Sequence, residues 1–148
     1  MRTRTRSAAT ITRASLCLLI IVCGLALRKL GLGLGLPSPL VKNGGSMLWG
    51  TMVFFLMAIA APGQSHWRIA LISVLLAVCV ELFRLVHTPW LDDFRLTTLG
   101  ALLLGRVYSP WNMLAYVCGI VLGITLDWLS ISAFRRARLS RDAPHSVS

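Results

Sequence analysis

Four long apolar runs, separated by short polar breaks, organise this chain. The first, Ala14 to Leu27, is fourteen residues long, short of the roughly twenty that a bilayer crossing needs. Ile11 and Thr12 extend it on one side. On the other, Arg28 and Lys29 can snorkel while Leu30 to Leu36 stays near the interface. A basic start before an apolar middle also fits a signal peptide. No small-x-small cleavage site follows cleanly, however, so the run is read as an uncleaved anchor. Gly31-Leu-Gly-Leu-Gly-Leu36, followed by Pro37 and Pro39, reads as a frayed helix end leading into an exposed loop. Its glycine spacing is wrong for a nucleotide-binding turn.

The second run spans about Ser46 to Ala61, stopped by Pro62-Gly63, with Trp49 near one end. The third covers about Ile69 to Val86. A mixed segment, His87 to Pro110, carries Asp92, Asp93, Arg95 and Arg106 around the apolar stretch Leu96 to Leu104. That stretch is too short to cross and predicts an interfacial or re-entrant helix. The fourth run is Trp111 to Ile131. Its Trp111 and Trp128 lie about 26 Å apart along a helix, matching two interfacial belts. The pattern thus predicts an all-α polytopic membrane protein of four transmembrane helices, with a short interfacial helix between the third and fourth. Residues 1–13 form a basic cytoplasmic N-terminus, 14–131 the single membrane domain, and 132–148 a basic, polar cytoplasmic tail.

Composition agrees. Hydrophobic residues make up 56% of the 148 and charged residues only 14%, whereas soluble domains carry about 25% charge. The net charge of +10 would suggest nucleic acid in a soluble protein. Here the basic residues collect at the two ends: Arg2, Arg4, Arg6 and Arg13, then Arg135, Arg136, Arg138 and Arg141. With both termini inside, nine lysines and arginines lie on the cytoplasmic side and six opposite. An odd number of spans would export a four-arginine cluster, so both termini are placed in the cytoplasm. A nucleic-acid partner is not expected. Cys17, Cys23, Cys79 and Cys118 sit in apolar runs without zinc-ligand spacing. No metal or cofactor is implied.

Chemistry concentrates around Glu81. An acid in hydrocarbon must be neutral, paired or facing a wet cavity, and marks a functional candidate. Arg84 and His87 follow at steps of three on one broad face. This allows either a Glu81–Arg84 pair that fixes helix packing or a proton-relay or ligand site. Asn112 and Tyr116 stand one turn apart on the fourth span, and the Tyr116 hydroxyl can reach Glu81 on a neighbouring helix. Ala115, Gly119 and Gly123 form a small-residue series that admits a close helix. Asp127 is expected to pair with Arg135, Arg136 or Arg68. No hydrolase, protease or nucleotide-binding signature is present.

Gly45-Ser-Met-Leu-Trp49, Glu81-Leu-Phe-Arg84, His87-Thr-Pro-Trp-Leu-Asp92 and Leu104-Gly-Arg-Val-Tyr-Ser-Pro-Trp-Asn112-Met-Leu-Ala-Tyr116 occur in that order. Together, over about Gly24 to Gly123, the chain resembles the bacterial membrane-protein family catalogued as domain of unknown function 2809. A more distant likeness is to the VanZ-like proteins. The family often has Gly-Asp at Gly45-Ser46, Gln at Arg84 and Asp at Asn112. Losing two acids beside a gained arginine suits a pairing network and disables a cation or proton site.

The expected function is therefore a non-catalytic envelope accessory protein. Its outward polar pocket (Glu81, Arg84, Asp92, Arg95, Arg106, Asn112 and Tyr116) would bind an anionic lipid head group, an envelope intermediate or a partner helix. The first alternative is a small transporter or channel subunit, oligomeric because four short spans enclose little room. The second is a membrane enzyme acting on lipid-linked substrates, with Glu81 as a desolvated general base.

Overall fold

The computed structural model describes residues 2–104 and 109–142. Six helices follow one another: α1 (Arg2–Leu30), α2 (Ser38–Ala60), α3 (His66–Phe83), α4 (Pro89–Leu96), α5 (Thr98–Leu103) and α6 (Pro110–Asp142). Four of them are long and apolar enough to cross a membrane: Ala8–Leu30 within α1, all of α2 and α3, and Pro110–Ala133 within α6. The protein is an all-α membrane protein with four transmembrane helices.

Helix ends follow local chemistry. After α1 the glycine run turns, with Gly35 at φ +79°, where a side chain would be strained. Pro37 then precedes α2, and Pro39 occupies its first turn, where no amide hydrogen is needed. α2 begins eight residues before the expected Ser46, because Lys42 and Asn43 stand on an exposed face and do not stop the helix. α3 ends at Phe83 rather than Val86. Beyond it, Arg95 donates to the carbonyls of Phe83 and Val86, each at 2.8 Å, satisfying acceptors that a helix end leaves orphaned. The expected single interfacial helix is two, α4 and α5. Thr97 separates them: its hydroxyl oxygen receives the Gly100 amide at 3.0 Å as the N-cap of α5.

α2 is the central helix, with half of its span buried against 17–28% for the other three. Phe54, Phe55 and Ala58 of α2 pack with Cys17 and Ile20 of α1, Ile69 and Ala70 of α3, and Ile120 of α6. α1 rests chiefly on α2 and leaves Leu18, Leu19 and Val22 exposed, as Leu75, Leu76, Val117 and Val121 are on α3 and α6. Such apolar surfaces are lipid-facing positions on a spanning helix. Trp67 and Trp128 are exposed at one end of the bundle, Trp90 and Trp111 at the other, the two-belt arrangement of a bilayer protein.

The small-residue series is used inside the bundle. Gly119 lies against the Met47 carbonyl, Gly123 against the Phe54 ring and Gly50 against the Tyr116 backbone, and the Thr51 hydroxyl donates to the Gly119 carbonyl at 2.8 Å. Gly119→Ala should therefore force α2 and α6 apart and destabilise by about 1–3 kcal/mol. Gly24→Ala, whose added carbon would meet Leu48 Cβ at an ordinary 3.8 Å, should stay within about 0.5 kcal/mol. Melting curves in detergent compare the two; equal losses would show that the close approach is not what Gly119 secures.

Candidate functional site

Two polar clusters sit at opposite ends of the bundle. The first is built on Glu81, in the last turn of α3, with no exposure to solvent. Its Oε2 receives Arg84 Nη1 at 2.6 Å and the Tyr116 hydroxyl at 3.0 Å. Its Oε1 receives the Ser109 amide at 2.8 Å and Asn112 Nδ2 at 3.2 Å. A carboxylate offers about four acceptor positions, and four donors occupy them. Arg84 Nε also donates to the Leu104 carbonyl, and Ser46 Oγ donates to Asn112 Oδ1 at 3.3 Å. The Tyr116 ring lies 4.9 Å from that of Trp49 and 5.9 Å from the Arg84 guanidinium. Helices α3 and α6 and the segment after α5 thus meet on one acid, and α2 joins them through Ser46 and Trp49.

The spacing of three places Arg84 beside Glu81, and the one-turn step from Asn112 to Tyr116 puts both on Glu81, as the sequence predicts. Asp92 and Arg95 do not join them. Arg95 is buried, bonded to Asp92 Oδ1 at 3.0 Å and to the end of α3, with its guanidinium 5.8 Å from the Phe83 ring. It brackets the turn between α3 and α4. His87 faces outwards, with Nδ1 3.0 Å from the Leu85 carbonyl. Arg106 lies outside the described residues. The single outward pocket expected from sequence is therefore a sealed cluster plus a separate helix-end bracket. Ser109 joins through its backbone amide, which no side-chain pattern announces. Ser46 had a signal: it and Asn112 are both positions where the resemblance notes a missing acid, and the two are bonded to each other.

The second cluster corrects the expectation for Asp127. Arg68 is instead exposed and bonded to Gln64, Arg136 is exposed, and the Arg135 side chain lies outside the described residues. Asp127, wholly buried, takes both prongs of Arg13, Nε to Oδ1 at 2.8 Å and Nη2 to Oδ2 at 2.7 Å, while His66 Nε2 lies 2.9 Å from Oδ2. Arg13 Nη1 donates to the Ala58 carbonyl at 3.0 Å. Arg13 thus stands inside the first span, with its side chain only 11% exposed, rather than in the N-terminal arginine cluster where the sequence pattern puts it. A buried acid needs a buried cation, and α1 supplies it.

A family model described as "Protein of unknown function (DUF2809)" matches residues 36–120. The match begins after α1, so it is narrower than the resemblance drawn over Gly24 to Gly123; it includes the Glu81 cluster and omits Arg13 and Asp127. No solved structure matches the chain.

Proposed function

The chain belongs to the DUF2809 family, a description that names no activity, and we propose from its geometry a non-catalytic envelope accessory protein whose outward polar end recognises a lipid head group, an envelope intermediate or a partner helix. The saturation of Glu81 carries this reading. The acid has no exposed surface and both oxygens are engaged by four donors, so it holds helices together instead of offering a base or a cation ligand. The departures from the family pattern point the same way, since Ser46, Arg84 and Asn112 all belong to this network. In this reading the membrane is the bacterial inner membrane, both termini are cytoplasmic, and the Glu81 end faces outwards. An even number of spans and the arginine clusters at the two chain ends support that orientation. The distant VanZ-like likeness belongs to the same proposal.

The test is thermal unfolding of the protein in detergent with and without native lipid extract, beside ion and proton flux in proteoliposomes. An upshift with lipid and no flux is expected. A flux abolished by Glu81→Gln in a variant that stays folded would replace this reading by that of a transporter.

A further inference from the structure

We infer that the groove between α1 and α2 at the Glu81 end is the binding site for the phosphate of an anionic lipid, with Arg28 and the indole N–H of Trp49 as its donors. The inference rests on the proposed head-group function and locates it outside the sealed cluster, which it adjoins through the contact of Trp49 with Tyr116. The groove is walled by Ile20, Ile21, Leu48 and Met52, and floored by Gly24 and Gly45. At its outer end the Arg28 side chain lies along Gly45, where an added carbon would come 3.4 Å from Nε. Trp49 lines the same groove, and its Nε1 is buried with no hydrogen-bond partner among the described residues. A buried indole N–H ordinarily finds an acceptor; an unmet one costs free energy until a ligand supplies it.

Three features select the occupant. The groove encloses about 20 Å³, room for about one water-sized group. One phosphate oxygen enters and the rest of the head group stays at the mouth. Polarity also falls along it: Arg28 and Gly45 are outermost, Trp49 is one turn in, and Ile20 and Met52 are two turns in, a span of about 12 Å at the helical rise. A lipid has that same order, phosphate first and hydrocarbon below. Charge finally favours an anion. Glu81 is matched by Arg84 and Asp92 by Arg95, while the exposed Lys29 and Lys42 at the outer ends of α1 and α2 outnumber the exposed Asp93 of α4. A guanidinium is the suited donor for a phosphate.

Native mass spectrometry of the detergent-solubilised protein tests this with dioleoyl phosphatidylglycerol, with dioleoylglycerol (the same chains without phosphate) and with inorganic phosphate. Phosphatidylglycerol should bind in preference to dioleoylglycerol. Arg28→Gln should weaken it about tenfold, and Trp49→Phe about threefold, the size of a charge-assisted and a neutral hydrogen bond respectively. Melting curves of both variants without lipid separate lost binding from lost folding. Equal binding of both lipids, or inorganic phosphate binding as well as the lipid, overturns the inference. Phosphatidylglycerol binding that survives both variants but falls with Lys42→Gln moves the site out of the groove and leaves the head-group function standing. An absence of stabilisation by any lipid defeats both.

Discussion

Glu81→Gln is expected to destabilise the protein by about 3 kcal/mol or more, because it strands a buried guanidinium. The amide keeps one oxygen, which can still accept from the Ser109 amide and Asn112. Its NH2 then faces Arg84 Nη1, which lies 2.6 Å from the native carboxylate, donor against donor. Tyr116 can rotate its hydroxyl to accept; Arg84, only 6% exposed, has no such freedom and keeps its charge. The loss therefore belongs to Arg84 more than to Glu81. The double variant Glu81→Gln, Arg84→Gln removes both charges and should regain part of the stability, as replacing a whole buried pair often does. Melting curves and expression levels of the two variants decide. A single variant that melts like wild type, or a double variant less stable than Glu81→Gln alone, would show that Glu81 does not anchor the network.

What was legible in the chain and what was not divides by sequence distance. Glu81 with Arg84, Asn112 with Tyr116, and Gly119 with Gly123 are three or four residues apart, and one helical repeat predicts that each pair shares a face. The four spans were visible because hydrocarbon demands long apolar runs. Helix starts were less so: Lys42-Asn-Gly-Gly45 looks like loop but is helical, since polar residues on an exposed face near a helix end cost little. The division of the interfacial segment turned on one capping hydroxyl, that of Thr97. The pairing of Asp127 with Arg13 crosses 114 residues, and no local spacing encodes it. Arg13 stands beside a genuine basic cluster, and a count of positive charges absorbed it there. An arginine followed at once by an apolar run, with one unmatched acid near the same membrane face, is the signal that would have found the pair.

That long-range pair sets up a second large effect. Asp127→Asn should cost about 3–5 kcal/mol, the usual penalty for leaving one member of a buried pair alone, and the damage should fall mainly on α1. Arg13 ties α1 to α6, and through the Ala58 carbonyl it also holds the end of α2. α1 otherwise rests largely on one helix, whereas α3 keeps contacts with both α2 and α6 when His66 is released. Arg13→Lys should lose much of the same stability, since a point-like ammonium cannot reproduce the two-pronged contact. His66→Asn should lose less, because the His66 side chain is 39% exposed and water can replace its bond. Cys17 supplies a local reporter: it is buried one turn from Arg13, while Cys23, Cys79 and Cys118 are exposed. In a protein whose other three cysteines are changed to alanine, N-ethylmaleimide should label Cys17 faster in the Asp127→Asn variant than in wild type. Glu81→Gln, acting at the far end, should leave that labelling rate near the native one. Equal acceleration by both variants would mean that the bundle loosens as a whole, and that the Asp127 cluster has no separate hold on α1.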